Sequence, residues 1–279
     1  MGVAVVTDSQ ACIPGRLAAQ LGITVLPHSL HLDDRVYRDG IDITPEKFYN
    51  LLPALSRPVS TSAIPPGAFL EAFERLAEKS DSILVITIAR TMSATYANAR
   101  LAADSFTSVP VEVIDSTTAA MAQGLVVLEV AEAASRGFPL RDCRELALAL
   151  VEKAELFAYI STFEYLKKSG RVNAVTAFAG EALSIKPVFR FKDGSAILVS
   201  KKRSPAAAQR FISARVATYG RERGSLRIAV FHANDRDNAQ ELSSLIAGKV
   251  TLRGEMLLTE FTPVMGCHTG PGVVGAAFL

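Results

Sequence analysis

The chain has 279 residues, of which 49% are hydrophobic, and its 30 basic and 28 acidic residues give a formal net charge of +2. The basic residues are scattered apart from the segment SKKRS at 200–204, so the composition does not indicate a nucleic-acid partner. The three cysteines lack the CxxC spacing of a zinc site, and no run of about 18 uncharged apolar residues indicates a membrane anchor. We therefore expect a cytoplasmic protein without a metal site.

Short apolar, β-branched runs alternate with amphipathic helical runs in the first half of the chain. Strands are predicted at 3–6, 23–27, 82–88 and 111–115. Helices are predicted at 15–22, 44–52, 67–79, 93–104, 117–137 and 139–155, and LHLDDRVYRDG at 30–40 predicts a projecting hairpin. Thr44 and Pro45 are a typical N-cap and first helical residue. This alternation favours a mostly parallel sheet with flanking helices.

The pattern changes near residue 157. A hairpin is predicted at 184–203, because Asp193-Gly194 is a strong turn signal between two apolar runs. A helix capped by Ser204 and ending at Gly220 follows, then strands at 226–233, 255–261 and 270–278 and a helix at 238–248. We predict a two-domain α/β fold in which residues 1–156 form the N-terminal domain and residues 157–279 form a C-terminal α/β sandwich.

The segment GPGVVG at 270–275 has the glycine spacing of a dinucleotide-binding loop. That loop requires a helix after its last glycine, on whose N-terminus the pyrophosphate lies. Only four residues follow Gly275 in this sequence. The match is therefore coincidental, no nicotinamide or flavin cofactor is expected, and the position of His268 beside these glycines needs another explanation.

Four segments rich in hydroxyl groups follow apolar runs: TDS at 7–9, STS at 60–62, TMSAT at 91–95 and DSTT at 115–118. Ligands bind beyond the carboxyl ends of parallel strands, where hydroxyl and backbone N–H groups can hold a carboxylate or phosphate. Each segment taken alone could instead be a helix cap or a turn, which is the commoner role of serine and threonine at such positions. Four such segments in one sheet favour a ligand site.

Several single residues allow two interpretations. Asp8 could be an aspartyl nucleophile, but Gln10 replaces the usual second aspartate, so helix capping is favoured. His28 and His31 would point to opposite faces of a strand, which argues against a metal pair. His232 is expected to be a surface or capped histidine. Arg171 follows a glycine that ends a short helix, where it either caps that helix or binds a carboxylate or acyl phosphate.

Six motifs occur in a characteristic order: VTDS, TSAIPP, ARTMSATYANA, STFEYLKKSGRVN, LSIKPVFRFKDG and HTGPGVVG. With this combination the chain resembles the DegV family over essentially its whole length. The resemblance implies a two-domain α/β protein that buries one long-chain fatty acid, such as palmitate, stearate or oleate, between its domains. It further implies the fatty-acid-binding subunit of a bacterial fatty acid kinase, whose ATP-binding partner forms an acyl phosphate for phospholipid synthesis.

The resemblance also assigns residues to the site. The carboxylate would be held by Thr61 or Ser62 and by Ser93, with His268 close by. Arg171 and Arg203 would lie near the head group or face the partner kinase. Two departures affect this assignment, since Ala94 stands where the family often has glycine, and Ala63-Ile64-Pro65 where it often has Gln-Pro-Ser.

Two other functions remain open at the level of sequence. One is a self-sufficient hydrolase or transferase that uses a serine with His268 as its base, and the other is a regulatory protein that senses lipid. The sequence lacks a G-x-S-x-G elbow, a P-loop and a carboxylate pattern for Mg²⁺, which argues against the enzyme.

Overall fold

The structure is a computed structural model that describes residues 2–169 and 185–279 of the chain. The strands in these residues are β1 (Val3–Asp8), β2 (Thr24–Leu26), β3 (Ser29–Leu32), β4 (Arg35–Arg38), β5 (Ser60–Ser62), β6 (Ser82–Thr87), β7 (Val111–Asp115), β8 (Glu155–Tyr159), β9 (Lys186–Lys192), β10 (Ser195–Lys202), β11 (Ile228–Ala233), β12 (Leu257–Glu260) and β13 (Val273–Phe278). The α-helices are α1 (Gly15–Gln20), α2 (Pro45–Leu51), α3 (Pro66–Ala77), α4 (Thr95–Ser105), α5 (Ala120–Ser135), α6 (Leu140–Lys153), α7 (Glu164–Lys168), α8 (Pro205–Arg223), α9 (Arg236–Ala247) and α10 (Pro263–Thr269).

The first sheet has the strand order β2-β1-β6-β7 and is parallel throughout. Its strand β6 is buried along its whole length, so its sequence is a continuous apolar run and not an alternation. Helices α3 and α4 pack on one face of this sheet, and α5 and α6 pack on the other. The predicted parallel sheet with flanking helices is confirmed.

A small antiparallel sheet of order β4-β3-β5 projects from this part of the chain. The hairpin predicted at 30–40 is its β3–β4 unit, and the turn contains Asp33 in the left-handed region at φ +49°. Strand β5 pairs with β3 so that Leu30 lies opposite Thr61 and Ser29 opposite Ser62. This register decides which hydroxyl of STS faces inward.

The second sheet has the order β10-β9-β8-β13-β11-β12 and is mixed, because β11 and β12 are parallel while the other neighbours are antiparallel. Helices α8 and α9 cover one face, and α5 covers part of the other. The predicted Asp193-Gly194 turn closes the β9–β10 hairpin, with both residues at positive φ as a two-residue hairpin turn requires.

Helix α5 is the layer shared by the two sheets. It packs against β1 of the first sheet and against β11 and β13 of the second. Its residues are apolar around almost the whole circumference, as expected for a helix covered on every side. Gly124 allows the segment after β1 to approach closely, since a Cβ at this position would lie 2.5 Å from the carbonyl oxygen of Ala11.

Ion pairs reinforce the contact between α5 and the second sheet. Arg227 lies 2.9 Å from Glu129 and 2.7 Å from Glu132, and Arg253 also pairs with Glu129. Burial alone would raise the pKa of Glu129, but its hydrogen bonds to Arg227 and Arg253 hold that pKa below its usual value. Two arginines from the second half of the chain therefore form ion pairs with the C-terminal half of α5.

Two expectations differ from the structure. Helix α8 does not end at Gly220, which lies within the helix against Val250; it continues to Arg223 and closes at Gly224, where φ is +84°. His232 is 3% exposed and so is not a surface residue, whereas its Nδ1 accepts from the backbone N–H of Asp235 at 3.4 Å, as a capped histidine would. The proposed boundary at 156/157 falls inside β8, so the division into domains stays a prediction.

The close packing of α5 yields a test of the fold. Alanine favours a helix interior over glycine by about 1 kcal/mol, but the added methyl of Gly124→Ala would meet the Ala11 carbonyl. We expect Gly124→Ala to lower the free energy of unfolding by about 1–3 kcal/mol, as overpacking does. Urea denaturation measures it. Gly67→Ala in α3 is the matched control, because no atom lies within 4 Å of its added Cβ, and it should be neutral or stabilising.

Candidate ligand-binding site

Thr61 and His268 are brought together from distant parts of the chain. The Thr61 Oγ1 lies 3.2 Å from the Nε2 of His268, and the two residues are both half-buried. Thr61 is on the inner face of β5, opposite the fully buried Leu30. His268 is in the last turn of α10, a helix that was not expected in this glycine-rich stretch. A hydroxyl and an imidazole therefore share one location, as the resemblance implies.

Ser62 lies on the other side of the same strand. Its Oγ is 2.7 Å from the Nε2 of His31, and this contact is exposed. Successive residues of a strand point to opposite faces, so Thr61 and Ser62 cannot both face His268. Of the two hydroxyls considered from the sequence, the structure places Thr61 at the His268 location.

Ser93 belongs to a second polar group, which is a chain of hydrogen bonds. Its Oγ is 2.8 Å from Thr95 Oγ1 and also accepts from the Thr95 backbone N–H at 3.2 Å. Thr95 Oγ1 lies 2.9 Å from Nε2 of His28, and Nδ1 of His28 lies 3.3 Å from Ser9 Oγ. Ser93 is half-buried, whereas Thr95, His28 and Ser9 are buried, so the chain runs from the interior to an accessible hydroxyl.

His28 is the residue that sequence reasoning missed, because it was weighed only as a metal partner for His31. Its position directly after the strand segment TVLP, at the carboxyl edge of a parallel sheet, is a signal that could have indicated it. Burial lowers the pKa of His28 to about 3. The ring is therefore neutral near pH 7 and carries one hydrogen, so it donates through one nitrogen and accepts through the other.

Two buried carboxyl groups support these polar residues. Asp8 accepts from the backbone N–H of Ile88 at 2.7 Å and from Gln123 at 3.1 Å, and it caps the turn after β1 as predicted. Asp39 accepts from the backbone N–H of Val264 at 3.1 Å, which fixes the start of α10 to the small sheet. Burial raises the pKa of each carboxyl to about 6.

The glycines around His268 are required by close contacts. Gly270 has φ +72°, and a Cβ there would overlap the ring of Tyr165. Gly272 has φ +82°, and its carbonyl accepts from the hydroxyl of Ser161 at 2.7 Å. The glycine spacing therefore lets the chain leave α10, turn against α7 and enter β13, as the prediction of a terminal strand required.

A groove of 260 Å³ lies near the candidate site, although neither Thr61 nor His268 lines it. One wall is the segment from Leu52 to Val59 that leads into β5, and the other is α7 with Tyr165 and Lys168. Cys267, the neighbour of His268, lies at its base. Polar and charged side chains, among them Arg57, Glu164 and Lys168, contribute much of the lining of this groove.

Of the two predicted arginines, Arg203 lies away from these groups. Arg203 is exposed and follows β10 at the end of the second sheet where the chain enters β13. Three strand spacings of about 4.8 Å, or roughly 14 Å, separate β10 from β13 in that sheet. Arg171 lies outside the described residues.

In the part of the chain that the structure describes, no group of three or more His, Cys, Asp or Glu side chains is arranged to hold a metal ion. In the same residues, no helix combines the length and the apolar character needed to span a bilayer.

A parallel sheet with flanking helices, joined through a shared helix to a second large sheet, defines an α/β protein with two main sheets and one small one. The chain belongs to the DegV family, since the family model described as "Uncharacterised protein, DegV family" matches residues 2–279. It is 32% identical to a DegV domain-containing protein of Streptomyces coelicolor, over 98% of this chain and 96% of that one, and 30% identical to one of Clostridium perfringens, over 100% and 99%.

Solved structures of the family have the same fold. One is a DegV family protein from Thermus thermophilus, whose structure is described as showing fatty acid binding. Its TM-score to this chain is 0.92 at 28% sequence identity, and the match covers 100% of this chain and 99% of that one. DegV from Bacillus subtilis, described as a fatty acid binding protein, has a TM-score of 0.88 at 26% identity, with the same coverage of both chains. The expected family and fold class are confirmed.

The buried carboxyl of Asp39 predicts a specific pH dependence of stability. Its pKa is about 6 in the folded protein against an ordinary value of 3.8, so the folded state binds more protons between these pH values. The stability contributed by this group is present below about pH 4 and is lost as pH rises towards 6. We expect Asp39→Asn to gain up to about 3 kcal/mol relative to wild type across this window and nothing further above it.

Urea titrations at half-unit pH steps measure this difference. The matched control is Asp42→Asn, because the exposed Asp42 is held at a pKa of about 2 by its hydrogen bonds to Arg38 and should show the opposite slope, below pH 4. A constant difference between Asp39→Asn and wild type from pH 4 to 7 would contradict the assignment.

Proposed function

We propose that this protein binds one long-chain fatty acid, such as palmitate, stearate or oleate, and presents its carboxylate to an ATP-dependent kinase subunit in the bacterial cytoplasm. The observation that carries the proposal is the contact between Thr61 and His268, 207 residues apart, which brings a hydroxyl and an imidazole together. The fatty acid binding described for the relatives from Thermus thermophilus and Bacillus subtilis supports it.

The acyl tail supplies most of the affinity in this proposal. Burying a methylene group contributes about 0.8 kcal/mol, so a chain of about 16 carbons needs only a dry, apolar path. The faces of the two sheets that meet at α5 are lined by apolar residues, among them Phe189, Phe231 and Val273. The proposed path for the tail lies between these two faces.

The contacts to the carboxylate need to fix its orientation more than they need to add binding affinity. Thr61 and His268 offer a hydroxyl and an imidazole, and Ser93 offers a second hydroxyl at the start of α4. The first N–H groups of an eleven-residue helix also favour an anion at that place. Each hydrogen bond to a charged group contributes about 1.5–3 kcal/mol.

The chemistry of acyl phosphate formation is divided between two proteins. A carboxylate oxygen attacks the γ-phosphorus of ATP held by the partner, the bond between that phosphorus and the β–γ bridging oxygen breaks, and ADP leaves. In this proposal the present chain orients the carboxylate and excludes water, while Arg203, and Arg171 outside the described residues, meet the phosphoryl group or the partner. The acyl phosphate then enters phospholipid synthesis.

The proposal predicts that the purified protein carries lipid. Organic extraction and mass spectrometry should find a stoichiometric fatty acid, and delipidation should lower the Tm, because a ligand bound only by the native state stabilises that state. Adding oleate or palmitate back should restore the Tm. An unchanged midpoint after the addition counts against the buried tail, and ATP turnover by the protein alone would favour a self-sufficient enzyme.

Holding the lipid and presenting it can be separated by mutation. We expect His268→Ala and Ser93→Ala to weaken oleate binding modestly, by about one hydrogen bond each, because the apolar path is untouched. Acyl phosphate formation with ATP and the kinase subunit should fall much further, since a displacement of about 1 Å can cost about 100-fold in rate. Titration of oleate and a coupled phosphorylation assay measure the two quantities.

The neighbouring pair Thr61→Val and Ser62→Ala provides the matched control for this experiment. Thr61→Val removes a hydroxyl at the His268 location, whereas Ser62→Ala removes one from the opposite face of β5. Only the first should reproduce the effect of His268→Ala. Unaffected turnover in His268→Ala, Ser93→Ala and Thr61→Val would refute the proposed site.

A further inference from the structure

The hydrogen-bond chain that ends at Ser93 has a direction that the positions of its hydrogens determine. Ser93 Oγ lies 3.2 Å from the Thr95 backbone N–H donor and 2.8 Å from the Thr95 hydroxyl. A hydroxyl has two acceptor lone pairs and one hydrogen. If Ser93 accepts both bonds from Thr95, its own hydrogen is free to point outward, and if it instead donates to Thr95, it presents a lone pair outward.

The tautomer of His28 decides between these two states. When the ring carries its hydrogen on Nε2, it donates to Thr95 Oγ1 at 2.9 Å, and the Thr95 hydroxyl hydrogen is then available to donate to Ser93. When the hydrogen is on Nδ1, Thr95 must donate to Nε2, and Ser93 must donate to Thr95. The neutral ring thus determines whether Ser93 is a donor or an acceptor towards a ligand.

We propose that His28 is a positioning residue that, through Thr95, holds Ser93 as a hydrogen-bond donor and so makes the site selective for an ionised carboxylate. The inference rests on the proposed function, since it takes Ser93 as a head-group contact. A carboxylate is a pure acceptor, so it matches the state in which Ser93 donates. A neutral alcohol or ester gains less from such a donor, because hydrogen bonds to charged groups are stronger.

The burial of the chain makes this arrangement effective. Thr95 is 0% exposed and His28 1% exposed, so water cannot easily replace either partner. Ser9 completes the far end by accepting from the His28 backbone N–H at 3.2 Å, which leaves its hydroxyl hydrogen available to Nδ1. Loss of the donor at Nε2 would leave Thr95 to take its bond from Ser93.

Asp39 lies beyond the far end and competes for the Ser9 hydrogen, since the Ser9 hydroxyl favours the ionised form of that carboxyl. Asp8, Cys12 and Tyr49 are the other titratable groups that interact with Asp39. When Ser9 gives its hydrogen to Asp39, it offers only a lone pair to Nδ1, which favours the Nδ1–H tautomer and reverses the chain. The inferred direction therefore requires that the Ser9 hydroxyl donates its hydrogen to Nδ1 of His28.

The test uses two substitutions, each of which places an amide nitrogen at the position of only one of the two ring nitrogens. The amide nitrogen of His28→Gln can occupy the position of Nε2 and keep the donor, whereas His28→Asn reaches only the position of Nδ1. Dissociation constants are measured for oleate and for oleyl alcohol with each delipidated protein. We expect His28→Asn to reduce the preference for oleate about tenfold, with little change for the alcohol, and His28→Gln to retain most of it.

An unaltered preference for oleate in a folded His28→Asn would overturn the inference. A wild-type protein that binds neither oleate nor other long-chain fatty acids would instead refute the proposed function on which it rests. Long-range ¹⁵N–¹H correlation spectra of the oleate-bound wild type give a result that does not depend on the variants folding. The Nε2–H tautomer of His28 at pH 7 supports the inference, and the Nδ1–H tautomer excludes it.

Discussion

The structure depends on the burial of α5 between two sheets. A surface helix has one apolar stripe, but α5 packs against β1 on one side and against β11 and β13 on the other. Its sequence is therefore apolar around nearly the whole circumference. Its one buried polar side chain near the first sheet, Gln123, donates to Thr7 and Asp8 at the end of β1. The helix therefore fixes the carboxyl end of β1, where the polar chain to Ser93 begins.

The location of the candidate site follows from this arrangement. Parallel strands place their carboxyl ends at one edge, and the small sheet β4-β3-β5 and helix α10 lie near that edge. Asp39 ties the small sheet to α10 through the Val264 N–H, so Thr61 and His268 are held on elements that are themselves joined. The two groups keep their 3.2 Å separation through backbone anchors as well as through their own contact.

Much of the fold could be predicted because its signals are local. The cap at Thr44, the Asp193-Gly194 turn and the apolar run of β6 each act within a few residues. Helix α10 was missed because its seven residues include Gly266, and it forms where that glycine packs against Tyr49. Its stability comes from tertiary contacts that no local pattern contains.

The candidate site was predictable in its residue types but not in its connections. Thr61 and Ser62 could not be distinguished, since a three-residue strand has too little pattern to fix its register, and pairing with β3 decides it. His28 obtains its role from Thr95, which lies 67 residues away in sequence. Sequence shows that hydroxyls follow strands, whereas the order in which they are bonded to one another is a property of the folded chain.

The shared helix has a consequence for cooperativity. A fragment ending near residue 156 would keep α5 but expose the side that β11 and β13 cover, and it would leave Glu129 and Glu132 without Arg227. In the remaining fragment, Phe231 and Ala277 would no longer be covered by α5. Each half has an apolar cluster of its own, but the cluster around α5 is shared by both. Thermal unfolding of this chain should therefore occur as one transition, although its sequence divides into two regions of different pattern.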